Sequence, residues 1–214
     1  MSTAPSQPES LRERNKREKR ARILAAARRL FERQGFEATT AREICRRAGI
    51  GTGTLFLYVR DKRELLFLVF RDEARDLFRS GRERAAAAPN LIDALMGLFG
   101  EFIAFYARNP ALSRLIVEEL FMRDHEPDAM GALTAEYLGC IEDVLAGPRS
   151  RGELRSDVTP LEQSAALFAH YSFWVQAWLA GAVASREQAD AGLRRALELQ
   201  LEGLAGAAAR GTAT

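Results

Sequence analysis

The chain has 214 residues, 47% of them hydrophobic, with 31 lysines and arginines against 29 aspartates and glutamates. This length allows one large helical domain or a small domain followed by a larger one, and the apolar fraction can build a substantial core. Two cysteines far apart in the chain exclude a disulfide framework, and abundant alanine and leucine with sparse proline predict an all-α protein.

The nearly balanced charge hides an asymmetry along the chain. Residues 1–64 carry 16 basic and 8 acidic residues, a net charge of +8, whereas the remainder carries 15 and 21, a net charge of −6. A basic N-terminal part predicts an anionic partner for that part alone. No apolar segment follows the first charges, so we expect no signal peptide and a cytoplasmic location. In that reducing compartment, Cys45 is expected to be a small core residue rather than a redox sensor.

Residues 1–16 are expected to form a disordered basic arm. The first ten residues contain proline, serine and glutamine, and a dense basic run, RERNKREKRAR, follows at residues 12–22. The run has two interpretations that the sequence leaves open: the solvated face of the first helix, or an arm that contacts phosphates or the minor groove of a nucleic acid. The first helix then has apolar residues at helical spacing, namely Ile23, Leu24, Ala27, Leu30 and Phe31.

Two short helices across a tight turn are predicted between residues 39 and 60. Thr40 and Glu43 have the spacing of a capping box at a helix start, and Gly49 suits the left-handed residue just past the helix end. Gly51 can begin the second helix as its N-cap, and Asp61 repeats the cap signal before a third. This order is a helix-turn-helix pattern.

The start of the second helix is small and uncharged, because it reads Gly51, Thr52, Gly53 and Thr54. Small residues allow a helix end to approach a surface closely, and the N-terminal residues of a recognition helix reach base edges in the major groove of DNA. The alternative is an ordinary helical hairpin packed inside a core.

Over about residues 17–66 the chain resembles the DNA-binding domain of the TetR family of bacterial transcriptional regulators. Matching positions are Thr39, Thr40, Ala48, Gly49, Gly53, Thr54, Leu55, Tyr58 and Lys62. Three positions depart from the family pattern: Gly51 replaces a capping serine, Phe56 a tyrosine and Val59 a phenylalanine. The resemblance implies a three-helix DNA-binding domain at residues 17–66 and a helical regulatory and dimerisation domain at residues 67–214.

The resemblance also implies roles for individual residues. Thr40, Tyr58 and Lys62 are expected to contact phosphate. Four residues are expected to face the major groove, namely Thr52, Gly53, Thr54 and Leu57. Threonine and leucine can touch the methyl group of thymine, and threonine can also hydrogen-bond a base.

Helix 4 is expected at about residues 61–79 and to end before the RERAAAAP stretch at residues 82–89. Five helices should follow, beginning near residues 91, 109, 128, 159 and 185, with a loop at residues 147–157 that contains Pro148. The total is about nine helices.

Residues 165–184 form a stretch of twenty residues without a charge. This is long enough to cross a bilayer, so a membrane-anchored helical protein is the alternative function. We favour burial, with one face on the core and the other on a second subunit. The last helix supports this with an apolar stripe, and the resemblance implies a homodimer through the last two helices.

The C-terminal part holds aromatic and other residues that could line a ligand pocket between helices, although for any one of them a well-filled core is the better explanation. These residues are Phe102, Phe105, Tyr106, Phe121, Met122, His125, Tyr137, Phe168, Tyr171 and Trp174. His125 and His170 lack nearby cysteines or spaced acidic residues, so we expect no metal site.

No phosphate-binding loop, nucleophile elbow or metalloprotease motif occurs, so we expect neither an enzyme nor a cofactor. A helical enzyme with an incidental helix-turn-helix is a weaker alternative. The hypothesis is a homodimeric repressor that binds a palindromic double-stranded DNA operator and is released by a small apolar or amphipathic effector.

Overall fold

The computed structural model describes residues 10–122 and 127–204, except for the side chains at positions 119, 121, 122, 127–130 and 204. The described residues form nine α-helices, which confirms the all-α prediction and the expected number. In chain order they are α1 (Leu11–Ala38), α2 (Ala41–Ala48), α3 (Thr52–Leu55), α4 (Lys62–Ala86), α5 (Leu91–Arg108), α6 (Pro110–Met122), α7 (Pro127–Ser150), α8 (Pro160–Leu179) and α9 (Arg186–Leu204).

The chain divides into two compact units, residues 1–70 and 71–214, and α4 contributes residues to both. The division lies at residue 70, whereas the sequence placed the end of the DNA-binding domain at residue 66. The N-terminal unit has no acidic or basic residue at positions 65–70, so its net charge is the +8 counted for residues 1–64.

The N-terminal unit is a small three-helix arrangement in which α2 packs on α1 and α3 packs on α2. Its core is built from apolar side chains at helical spacing, all less than 6% exposed: Ile23, Ala27, Leu30, Phe31, Ile44, Cys45, Ala48, Leu55, Val59, Leu65 and Leu66. Cys45 is a buried core residue, as the apolar stripe of α2 predicts. Gly35 interrupts α1 near its end with φ 79° and ψ 170°, and its carbonyl accepts a hydrogen bond of 2.7 Å from the hydroxyl of Thr39.

The structure differs from the sequence expectations at three helix ends. Helix α1 begins at Leu11, so residues 11–16 are helical rather than disordered; Ser10 and Glu13 form a capping box that satisfies free amides at this end. Helix α4 continues to Ala86, past the predicted end at residue 79. Alanine is a strong helix former, and the arginines at positions 82 and 84 pair with acidic side chains of α7 and α5.

Helix α7 also continues beyond its predicted end, through Pro148 to Ser150. A proline removes only one backbone donor, and here it lies in the last turn of the helix. Beyond it, the amides of Arg151 and Glu153 donate to the carbonyls of Gly147 and Pro148 at 3.2 and 3.0 Å. These bonds satisfy carbonyls that would otherwise be free at the helix end.

In the C-terminal unit, α5 packs against α6, α7 and α9, and α8 packs against α6, α7 and α9. Side chains of these helices form the core, including Leu95, Leu98, Phe99, Ile141, Leu145, Leu167, Leu193 and Leu197. Gly192 of α9 permits close packing, because a Cβ atom at this position would lie 2.4 Å from the ring of Trp174 on α8.

The uncharged stretch at residues 165–184 does not form a membrane span. Helix α8 ends at Leu179, and no helix among the described residues is long and apolar enough to cross a bilayer. One face of α8 is buried by Leu167, Tyr171, Val175 and Leu179. The alternative of a membrane-anchored protein depended on this stretch crossing a bilayer, so the structure does not support it.

Candidate nucleic-acid interface and aromatic cluster

The start of α3 lies on the surface of the chain. Leu55 and Val59 are 2% and 5% exposed and hold this segment on the core, whereas Leu57 is 81% exposed. The residues at positions 51–53 are exposed as well, and those at 54 and 58 are half-buried. We call residues 51–54 with Leu57 the recognition tip. Its exposure leaves room for a second molecule to approach it, as its small uncharged composition predicts.

Helix α3 is shorter than the sequence suggests, because its regular part ends at Leu55. The chain continues as a tighter turn in which the amides of Leu57 and Tyr58 donate to the carbonyls of Thr54 and Leu55 at 3.2 and 2.9 Å. Such i to i−3 bonds wind the backbone more tightly than an α-helix. The turn carries two apolar side chains into solvent, because Phe56 is 55% exposed beside Leu57.

The turn between α2 and α3 depends on Gly49, which has φ 66° and ψ 42°. This is the left-handed region, which glycine adopts without steric cost. The amide of the following residue, Ile50, donates to the carbonyl of Cys45 at 3.0 Å and closes the end of α2. This hydrogen bond at the end of α2 sets the direction in which the chain enters the recognition tip.

Thr40, a predicted phosphate contact, is the N-cap of α2 and is engaged with Glu43. The amide and the hydroxyl of Thr40 donate to one carboxylate oxygen of Glu43 at 3.0 and 2.9 Å, and the amide of Glu43 donates to the hydroxyl oxygen at 3.2 Å. Hydrogen bonds from the amide and hydroxyl of Thr40 hold the pKa of Glu43 below its ordinary value. A phosphate oxygen at Thr40 would compete with this carboxylate for the same donors.

Lys62, the other predicted contact from outside the tip, is directed towards the end of α1. Its ammonium group donates to the carbonyls of Phe36, Thr39 and Glu37 at 2.8, 3.1 and 3.4 Å. It also lies 4.2 Å from the centre of the Phe36 ring, which is a cation–π contact. An ammonium group has three donors, so these carbonyls occupy all of them. The geometry indicates a structural role for Lys62 in addition to, or in place of, a phosphate contact.

Three arginines of α2 were not singled out from the sequence. Arg42, Arg46 and Arg47 are exposed, whereas Ile44 and Cys45 between them are buried. In helix-turn-helix proteins the first helix of the motif crosses the DNA backbone, where arginine suits phosphate. The signal was present in the sequence, because these arginines lie opposite the apolar stripe that predicts the helix.

The C-terminal unit brings part of the predicted pocket set into one aromatic cluster around Tyr137. Its ring centre lies 4.7 Å from that of Phe102, 5.0 Å from Phe168 and 5.1 Å from Tyr171. Two residues that the sequence analysis did not name, Phe78 of α4 and Phe99 of α5, complete the cluster, with ring centres 5.3 and 6.1 Å from Tyr137. Phe99 precedes Phe102 by one helical turn, and this spacing could have identified it.

The other predicted residues lie beside the cluster, elsewhere in the unit or outside the described part. Tyr106 lies beside the cluster, where its hydroxyl is close to that of Tyr171, and Phe105 packs on Tyr106 with ring centres 5.7 Å apart. Trp174 of α8 packs against Gly192 of α9. His125 is outside the described residues, and so are the side chains of Phe121 and Met122. These positions remain predictions.

The hydroxyl groups of Tyr137 and Tyr171 are buried close to each other and to that of Tyr106, and neither makes a well-aligned hydrogen bond among the described residues. Burial raises the pKa of both well above the ordinary value, and it raises the pKa of buried Tyr106 to about 12. The three hydroxyls therefore stay protonated at neutral pH. A buried hydroxyl without a partner costs free energy, so an added acceptor there would be stabilised.

Comparison with known proteins agrees with a helix-turn-helix in the N-terminal unit. Residues 23–69 match the family model described as bacterial regulatory proteins, tetR family. The chain is 40% identical over 55 residues to the HTH-type transcriptional regulator HbdR of Aromatoleum sp. (strain CIB), and 27% identical over 145 residues to the HTH-type transcriptional regulator UidR of Escherichia coli K12. The matched parts cover 26% and 65% of this chain, and 24% and 70% of the respective relatives. The match to HbdR thus spans about a quarter of that protein.

Among solved structures, the chain resembles Thermus thermophilus FadR, described as a TetR-family transcriptional repressor in complex with lauroyl-CoA. The TM-score is 0.72 and the identity 28%, and the match covers 86% of this chain and 94% of FadR. The similarity therefore extends through both units, well beyond the residues matched by the family model.

The contacts of Lys62 lead to a stability prediction. Replacement by methionine keeps the aliphatic stem but removes the ammonium donor from three carbonyls at the end of α1, of which only that of Phe36 also accepts from the amide of Thr39. Hydrogen bonds to a charged group contribute about 1.5–3 kcal/mol. We expect Lys62→Met to lower the free energy of unfolding by about that amount in urea denaturation. If Lys62 serves only phosphate, stability will not change, and the dependence of DNA affinity on salt will weaken by about one unit of slope per protomer.

Proposed function

We propose that the chain is a member of the tetR family of bacterial regulatory proteins and that it represses transcription by binding a palindromic operator as a homodimer. The exposed recognition tip carries this proposal. It combines a glycine-closed turn, small residues at the start of α3 and an exposed Leu57 in a unit with a net charge of +8. We place this activity in the bacterial cytoplasm, where the DNA is.

The proposed contacts fall into two groups. Thr52, Gly53, Thr54 and Leu57 face base edges in the major groove, where methyl and hydroxyl groups can meet thymine methyls and base acceptors. Tyr58, Thr40 and the exposed arginines of α2 contact phosphates, which fix the position of the protein on the duplex without carrying sequence information. Lys62 supports this surface by holding α4 on the end of α1.

A dimer is proposed through α8 and α9. Helix α8 presents an exposed row at four-residue spacing, Leu161, Ala165, Ala169 and Phe173, and has no charged residue between positions 163 and 179. Leu161 and Phe173 are 59% and 62% exposed, and Leu199 of α9 is 52% exposed. Apolar surface of this kind is buried when a second copy packs against it, and two-fold pairing gives a four-helix interface.

Dimerisation matters for DNA recognition, because one helix-turn-helix offers few base contacts. A two-fold pair reads two half-sites whose spacing mirrors the spacing of the two recognition tips. Repression follows if the operator overlaps a promoter. A small molecule that binds the C-terminal units of the dimer can then release the DNA by favouring a different spacing.

We propose that the effector is amphipathic and that an acyl-CoA is the first compound to test. The support is the similarity to a FadR solved with lauroyl-CoA, together with an aromatic cluster in which the buried hydroxyls of Tyr137 and Tyr171 have no well-aligned acceptor among the described residues. An acyl chain would be compatible with these aromatic side chains, and a carbonyl oxygen would give the hydroxyls an acceptor.

The operator function is tested with DNA selected from a random pool by the full chain. We expect Leu57→Ala to weaken binding to the selected duplex about fivefold or more, as removal of one interaction with a base does, and to leave binding to random duplex unchanged. Because Leu57 is 81% exposed, its replacement should not affect stability. An equal weakening on both duplexes would show that Leu57 does not read bases, and failure of the selection to enrich any sequence would contradict the function itself.

The dimer is tested by placing a charge in the exposed row of α8. We expect Phe173→Glu to shift the protein from dimer to monomer in sedimentation equilibrium, because a buried unpaired carboxylate at the interface costs several kcal/mol. Arg75→Glu, which adds a glutamate at an exposed site on α4, is the matched control and should remain dimeric. If both variants keep the oligomeric state of the unsubstituted chain, the interface lies elsewhere.

The effector proposal is tested by adding lauroyl-CoA to the complex with selected DNA. We expect the affinity for DNA to fall about 5- to 150-fold, which corresponds to a typical coupling free energy of 1–3 kcal/mol. Lauric acid and free CoA, added separately, are the controls and should release much less DNA. A complex that resists lauroyl-CoA as well as both controls would rule out this class of effector while leaving the operator function intact.

A further inference from the structure

The first three turns of α1 are longer than the packing of the N-terminal unit requires. The first buried residue of the helix is Ile23, and every residue from Leu11 to Arg22 is exposed. Twelve residues of α-helix extend about 18 Å, at 1.5 Å per residue. We call residues 11–22 the basic extension. The basic extension buries none of its side chains, so packing does not stabilise it. The many basic residues in it therefore need an explanation other than the fold of the unit.

The basic extension is built to be helical. Ser10 and Glu13 cap its start with hydrogen bonds of 3.0 Å from the amide of Ser10 to the carboxylate and 3.2 Å from the amide of Glu13 to the Ser10 hydroxyl. Glu18 pairs with Arg14 one turn away at 3.7 Å. The segment continues directly into the packed part of α1, which avoids the cost of nucleating a separate helix. Both acidic residues of the extension are thus used within it.

The charge of the extension is strongly one-sided. It has seven basic and two acidic residues, a net charge of +5, out of +8 for the whole N-terminal unit. The buried stripe of α1 runs through Ile23, Ala27 and Leu30, and at the same helical spacing towards the N-terminus it is continued by Lys19, Lys16 and Arg12. Basic residues in these positions prevent the stripe from joining an apolar core, so this face must meet water or an anion.

The extension ends beside the helix-turn-helix. A Cβ atom at Gly49, the residue that closes α2 before the recognition tip, would lie 3.6 Å from a terminal guanidinium nitrogen of Arg22. The last residue of the extension therefore lies against the turn that precedes the recognition tip. The anion that lies closest to a recognition tip in a major groove is the phosphate backbone on either side of it.

We propose that the basic extension binds the phosphate backbone of DNA beyond the base pairs contacted by the recognition tip, and so supplies most of the sequence-independent affinity. This inference rests on the proposed operator function, because it requires the tip to be in contact with DNA. Each phosphate neutralised releases condensed counterions, so the logarithm of the binding constant falls with the logarithm of salt concentration by about 0.9 per phosphate. The extension thus sets how steeply binding depends on salt and leaves the choice of sequence to the tip.

The test uses the full chain with Arg12→Gln, Lys16→Gln and Lys19→Gln combined. Glutamine has nearly the helix propensity of arginine and lysine, so the helix should remain, which circular dichroism checks. The matched control is Arg75→Gln, Arg79→Gln and Arg151→Gln, which removes the same charge from exposed sites of the C-terminal unit. Binding to selected and to random duplex DNA is measured by fluorescence anisotropy over a series of salt concentrations.

We expect the salt slope of the extension variant to be smaller by about 0.9 for every phosphate that it no longer neutralises, summed over both protomers, and its affinity to fall by the same factor on selected and random DNA. The control should keep the slope of the unsubstituted chain. If the extension variant keeps the salt slope of the unsubstituted chain, the proposal is overturned. If its dimer dissociation constant also changes, the extension binds the acidic C-terminal unit of the partner instead of DNA. If the unsubstituted chain selects no sequence, the operator function fails first, and the two failures are thereby distinguished.

Discussion

The position of the recognition tip depends on how α1 ends. The last carbonyls of a helix have no partner within it, and in this chain Lys62 supplies an ammonium group to three carbonyls at residues 36, 37 and 39. This interaction joins the start of α4 to the end of α1 across more than twenty residues of chain. The segment between them contains α2, the Gly49 turn and α3, so its two ends are held together while Leu55 and Val59 keep its middle on the core.

Holding the tip in this way affects how DNA can be bound. Thr40 gives its donors to Glu43 and Lys62 gives its own to α1, so two residues expected at phosphates are already engaged. Exposed basic side chains are available instead on α2 and on the basic extension of α1, among other positions of the N-terminal unit. Affinity and sequence selection therefore depend on different surfaces. Charged side chains bind the DNA backbone, and the small, uncharged recognition tip contacts the bases.

The features that the sequence predicted well are those that depend on neighbouring residues. The capping box at Thr40 and the left-handed Gly49 follow from spacings of a few residues, and both are present. The interaction of Lys62 with residues 36–39 was not predicted, because the partners are backbone carbonyls that have no signature in the sequence. The aromatic cluster was only partly predicted, since Phe78 joins it from α4, a helix that begins in the N-terminal unit. The start of α1 was missed because residues up to 16 were assigned to a disordered arm, although Ser10 and Glu13 carried a capping signal.

The central claim is that the recognition tip enters the major groove and touches thymine methyl groups in two symmetric half-sites. It is tested most directly by replacing thymine with uracil, one position at a time, in the selected duplex, which removes the methyl group and leaves base pairing unchanged. We expect weaker binding at a few thymines placed symmetrically in the two half-sites, with no effect elsewhere. Full affinity for a duplex in which every thymine has been replaced would contradict it.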